Sequence, residues 1–184
     1  MSMTALRGVA ELCLLCALAQ VPAAAPKEIW LDVPFVAQVG NSCGPACISM
    51  VMKYWAASSH RQPDAAADEA AIRRSLNSRN SKGVPTRDVT RYFENHGFRA
   101  YAFVGEWADL EHHVAQGRPL IVAIKQGSGT FHYLVVAGID NAHDLLLAND
   151  PARRKLQKMK RADFESAWSR CGFWTLLVLP KDES

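Results

Sequence analysis

The stretch QVGNSCGPACISMVMKYWA, residues 38–56, restricts what this chain can fold into more than any other. It reads as a loop that runs into a helix, with the break at Cys43. Gly44 and Pro45 follow at once, and proline suits the first helical position because its missing N–H would have had no partner there. The helix therefore begins at about Gly44. Beyond it Cys47, Met50, Val51 and Tyr54 recur at helical spacing, so they share one face and that face is the buried one. Cys43 is left at the open end, where unpaired N–H groups and the positive end of the helix dipole stabilise a thiolate. That is where a nucleophile belongs.

With 184 residues, 49% hydrophobic and 21% charged, the chain has enough apolar surface for one core. A single domain over residues 26–184 is expected. The net charge of +3 is mildly basic, and only RRKLQKMKR, residues 153–161, is dense in cations. Without interleaved aromatic residues that run reads as a solvated loop, and no nucleic-acid partner is expected.

Residues 1–25 differ from the rest. After Arg7 comes the apolar run LCLLCALA, residues 12–19, and then VPAAAP, with small residues where a signal peptidase cuts. A signal peptide over residues 1–25 is expected, cleaved after Ala23 or Ala24. The run is shorter than the roughly 20 apolar residues that span a bilayer. The protein is thus expected to be exported, to a periplasm or to the medium. A lipid anchor on Cys16 is the alternative, although Leu15 stands where a small residue is wanted. Cleavage would remove Cys13 and Cys16 and leave Cys43, Cys47 and Cys171, an odd number, so at least one thiol stays free. Cys47 either packs in the core as a small hydrophobe or pairs with Cys171.

Residues 28–38 alternate and contain Pro34, which suits an edge strand or an extended lead-in. Helices are expected over 63–76 and from Thr86, as N-cap, to Gly97, with the polar loop SRNSKG between them. Residues 98–105 read as a strand, 106–117 as a short helix and 118–126 as a buried strand. Strand-like runs at 131–140, 144–150 and 172–180 follow, with a helix at 162–170, and GSGT and NAHD are hairpin-type turns. Helices first and antiparallel strands afterwards predict an α+β fold.

A thiol nucleophile needs a base, a group that orients the base, and donors for the oxyanion formed on attack. His132, near the start of a strand, is the candidate base. Asp150, at the end of the next strand, is placed to hold the imidazole. Gln38 offers a side-chain amide that would share the oxyanion with the Cys43 N–H. Other histidines have plainer explanations. His112 and His113 are adjacent and face different ways on a helix, His96 sits at a helix C-terminus, and His60 and His143 fall in loops. No metal site and no cofactor is expected. The five tryptophans read as core or core-edge residues.

Taken together, Q-x4-CGPA, SMVMKYW, GTFHYLVVAGID and LLLANDPA resemble the papain-like peptidases grouped as cysteine peptidase family thirty-nine. The best-known members of that family remove leader peptides from bacteriocins after a double glycine. The resemblance spans residues 33–151. It implies a papain-like cysteine peptidase fold, with the nucleophile helix packed on an antiparallel sheet that carries the histidine. It also implies Cys43 as nucleophile, His132 as general base, Asp150 as orienting acid and Gln38 in the oxyanion hole, with Asn149 as the fallback orienting residue. Those leader peptidases front an ABC exporter, whereas these residues carry no P-loop motif. The expected function is hydrolysis of a peptide or isopeptide bond in a peptide or protein substrate, with any exporter or precursor peptide encoded elsewhere. An acyltransferase using the same residues, and a papain-like domain that binds peptides without cutting, are the alternatives.

Overall fold

The computed structural model describes residues 28–76, 83–125 and 131–181. The expected signal peptide, the GSGT turn and most of SRNSKG lie outside these residues. Helix α1, Cys43–Ser58, leaves the site and enters the core. Its first ten residues, Cys43 to Met52, are buried on every side, so the expected single apolar face is exceeded. Only the last turns are amphipathic in position: Tyr54 Oη donates to the Gly117 carbonyl at 2.7 Å and Trp55 Nε1 to that of Val178 at 3.0 Å.

The sheet against which α1 packs is antiparallel at every pairing. Its strands are β1 Glu28–Trp30, β2 Phe98–Val104, β3 Leu120–Lys125, β4 Phe131–Asp140, β5 Leu145–Asp150, β6 Arg154–Lys160 and β7 Trp174–Pro180. They lie in the order β2-β7-β3-β4-β5-β6, with β1 paired to the far end of β4. β3, LIVAIK, is buried along almost its whole length because both faces of the sheet are covered. On one face α1, with α2 (Glu69–Ser75) and α3 (Thr86–Asn95), packs around Val51, Phe93, Ile121 and Val135. On the other, α4 (Trp107–Ala115) and α5 (Arg161–Ser169) cover Leu120, Leu134, Leu146 and Phe164. Among the described residues no helix is long and apolar enough to cross a membrane.

Several local expectations are corrected. Residues 153–161 are not a loop: β6 is an edge strand, with Lys155 ion-paired to Asp32 and Arg161 to Glu165 at 2.9 Å. Cationic side chains on a sheet edge discourage pairing with another chain. Residues 28–38 take both expected forms, a short strand β1 and then an extended lead-in whose Leu31 N–H still donates to the Ala137 carbonyl at 2.7 Å. The single helix expected over 63–76 breaks in two, because Asp68 caps a fresh start by accepting from the Ala71 N–H at 2.9 Å. Pro85, not Thr86, occupies the N-cap position of α3. Trp30 is exposed, unlike the other tryptophans. The NAHD turn forms as expected: the Asp140 carboxylate accepts the Ala142 and His143 N–H groups, and the His143 ring, at 3.1, 3.2 and 2.8 Å.

Candidate active site

Three elements meet where α1 begins. Cys43 is the first residue of α1, His132 the second of β4 and Asp150 the last of β5. Antiparallel pairing of β4 with β5 sets the histidine beside the carboxylate. His132 Nε2 and Asp150 Oδ1 are 2.7 Å apart. With Nε2 so engaged, Nδ1 is the nitrogen left for the hydrogen bond that His132 makes with the Cys43 thiol. The Asp150 carboxylate is itself held, Oδ1 by the Ala152 N–H at 2.9 Å and Oδ2 by Arg153 Nε at 3.6 Å.

Electrostatics at this trio favour charge separation. Burial opposes a thiolate at Cys43, which is 7% exposed. Hydrogen bonds from His132 and from the Tyr133 and Gly44 N–H groups, with the charge of His132, outweigh that burial and lower the thiol's pKa. Burial likewise opposes a charged His132, yet its hydrogen bonds to Asp150 and Cys43 raise it to about 9. Burial also works against the Asp150 carboxylate, and its bonds to His132 and Ala152 bring it below the ordinary range. All three shifts run in the direction of thiolate, imidazolium and carboxylate in a row. Cys47, fully buried one turn along α1, is the opposite case, since burial and the nearby charges of Cys43 and Asp150 push its pKa well up. All three cysteines among the described residues are free thiols, so Cys47 and Cys171 are not bridged.

Gln38 lies beside this trio because its N–H donates to the Pro151 carbonyl at 2.9 Å. Its side chain folds back on its own loop: Nε2 donates to the Gly40 carbonyl at 2.5 Å, and Oε1 is buried with no partner. Asn149 is not with the others. It is buried on the opposite side of β5, with Nδ2 donating to the Val33 carbonyl at 3.1 Å and Oδ1 accepting the Leu156 N–H at 2.9 Å. It ties the lead-in to β6, and Asp150 is the residue bonded to His132.

Two contributors escaped the sequence. Tyr133 supplies a backbone N–H to the thiol and clamps its phenol to the Val84 carbonyl at 2.9 Å. Ser42 precedes the nucleophile without capping its helix. A polar residue at position 42 was the only hint of the second, and a backbone donor leaves no hint at all. Among the described residues no group of three or more His, Cys, Asp or Glu side chains is arranged to hold a metal.

A model of the Peptidase_C39 like family matches residues 30–175. The chain belongs to that family. Solved structures agree on the fold of this C39-like protein. The peptidase domain of Streptococcus ComA, a bifunctional ABC transporter of a quorum-sensing pathway, is 23% identical over 81% of this chain and 99% of its own, with a TM-score of 0.64. A double glycine motif protease from an AMS/PCAT transporter, solved with the leader peptide, is 20% identical over 83% and 94%, at 0.62. A C39-like peptidase structure from Bacillus anthracis is 15% identical over 86% and 100%, at 0.66. No curated protein matches. The helix-plus-antiparallel-sheet architecture is thus that of the papain-like C39 peptidase domains.

Proposed function

We propose that this protein is a cysteine peptidase that hydrolyses a peptide or isopeptide bond through an acyl-enzyme on Cys43. The observation that carries the reading is the unbroken hydrogen-bonded row Cys43, His132, Asp150, biased toward thiolate and imidazolium. Cys43 Sγ attacks the carbonyl carbon, and the carbonyl electron pair moves onto its oxygen. The Cys43 N–H and the Gln38 amide, once Nε2 leaves the Gly40 carbonyl, receive that oxyanion. His132 then gives its proton to the departing amine, the C–N bond breaks, and a thioester remains. Water attacks the thioester as His132 takes its proton, the C–S bond breaks, and the acid leaves with the thiolate restored. Asp150 keeps the ring aimed throughout.

A peptide or protein is the proposed substrate, in line with the leader peptide bound to the related transporter protease. Residues 26–184 are proposed to work as one peptidase domain outside the cytoplasm, on the strength of the apolar run at 12–19 followed by VPAAAP. The decisive experiment is hydrolysis of a quenched-fluorescent peptide library by the wild type and Cys43→Ala. Cleavage should vanish in the variant, and full retention of it would sink the assignment. Product masses in the presence of added amines separate hydrolysis from acyl transfer by the same residues.

A further inference from the structure

Among the described residues the mechanism leaves two buried carboxylates unused, and one of them, Asp140, is taken up by the turn after β4. Glu69, the first residue of α2, is 9% exposed and stands behind the loop that precedes the nucleophile. Its Oε1 accepts the Ser42 hydroxyl proton at 2.7 Å, across 27 residues of chain, and Arg73 Nε stands 3.5 Å from the same oxygen. A glutamate at the start of a helix normally faces water. This one is turned inward onto a single hydroxyl.

That hydroxyl has a defined second partner. Ser42 sits at the N-cap of α1, where a serine side chain ordinarily accepts from the helix's own N–H groups. Here it makes no such bond, and Oγ accepts the Val39 N–H at 2.9 Å instead. A carboxylate can only accept, so Glu69 commits the hydroxyl proton to itself and leaves the Ser42 lone pairs for Val39. Val39 N–H belongs to the peptide group that follows Gln38. The peptide group before Gln38 is pinned as well, by its N–H bond to the Pro151 carbonyl at 2.9 Å. Both flanks of Gln38 are thereby held, one by the strand end that bears Asp150, the other by Glu69 acting through Ser42. The forgone cap also leaves the first N–H groups of α1 open toward the thiol, as the Gly44 N–H bond to Cys43 illustrates.

We propose that Glu69 is a positioning residue which, through Ser42, fixes the 39–42 loop and so aims the oxyanion donors Gln38 and Cys43 N–H. The proposal rests on the peptidase reading above. Glu69 touches no reacting atom; what it controls is where the donors stand when the carbonyl oxygen gains charge. Misplacing such donors by a fraction of an ångström slows oxyanion formation and leaves thiolate formation alone.

The test compares two reactions of Cys43 followed by intact mass. Acylation by p-nitrophenyl acetate passes through an oxyanion, whereas alkylation by iodoacetamide does not. In Glu69→Ala acylation should fall ~10-fold or more while alkylation stays within about twofold of wild type. Glu69→Gln, whose carbonyl still accepts the Ser42 proton, should recover most of the acylation rate. Ser42→Ala should reproduce the Glu69→Ala pattern, and the double variant should be no worse than either single one, as members of one chain behave. Equal losses in both reactions, no loss in either, or a Glu69→Gln variant as slow as Glu69→Ala would overturn the proposal. A wild-type Cys43 that alkylates readily and never acylates would remove the peptidase reading, and the proposal with it; that outcome is read on the unmodified protein and is not confused with the others.

Discussion

Asn149 and Asp150 are consecutive in the chain and serve opposite sides of β5: Asp150 holds His132 at 2.7 Å, while Asn149 bridges the Val33 carbonyl and the Leu156 N–H. Two residues of similar shape therefore predict different failures. Asp150→Ala should lower kcat/KM on a peptide substrate by on the order of 10²- to 10⁴-fold, because the ring loses its aim and its charge partner. Asn149→Ala should leave the buried Val33 carbonyl and the part-buried Leu156 N–H without these partners and lower unfolding free energy by about 2–3 kcal/mol. Urea denaturation and steady-state kinetics on the two variants would expose any exchange of these roles.

The thiolate and imidazolium set a pH window. Cys43 is depressed, so its contribution to stability is present at high pH and is lost as pH falls through its lowered value. His132 is raised to about 9, so its contribution is fully present below its ordinary value and is lost as pH rises through about 9. The charged pair exists between these limits, and kcat/KM should trace a bell whose basic limb falls near 9. In His132→Ala the pH midpoint for iodoacetamide labelling of Cys43 should move upward, since burial then acts without its main opponent. An unmoved midpoint would contradict the ion pair.

Thiol selectivity follows from the same balance. Burial pushes the Cys47 and Cys171 thiols up, whereas Cys43 is brought down. At about pH 6.5 a limiting dose of iodoacetamide should mark Cys43 well ahead of Cys47 and Cys171. Peptide mapping that found all three equally labelled would count against a nucleophile at the helix start.

Gly138 marks a close approach of β1 to β4. A methyl group there would lie 2.7 Å from the Ile29 carbonyl oxygen and 2.9 Å from both Leu147 Cδ1 and Trp30 Cβ. Gly138→Ala should force β1 away and lower Tm by roughly 3–10 °C, with alkylation of Cys43 preserved because the site lies at the other end of β4. A differential scan and a labelling assay on the variant test both halves.

What the sequence made readable was what local pattern records. Cys43 announces itself through Gly44 and Pro45, and His132 and Asp150 through the strand runs that end or begin on them. β6 escaped because its inward positions carry Leu156, Gln157 and Met159 amid lysines, and Leu156 takes a positive φ of 49°, so no clean alternation survives. The break in the second helix was written in Asp68, but the run of alanines around it masked a cap. Whether Asn149 or Asp150 faces the histidine depends on the register of β4 against β5, which carries an irregularity between Val136 and Gly138 that spacing alone does not reveal. The Ser42–Glu69 bond joins residues 27 apart and has no local signature whatever.

The hydrogen bond from Gln38 N–H to the Pro151 carbonyl has a mechanical consequence. From Gln38 the backbone runs to Cys43, the thiol reaches His132, the ring reaches Asp150, the backbone passes to Pro151, and that bond returns to Gln38. The site is a closed ring of covalent and hydrogen bonds. In the proposed mechanism, a substrate carbonyl that draws the Gln38 amide toward itself would therefore also pull on Pro151, and through it on the carboxylate bonded to His132.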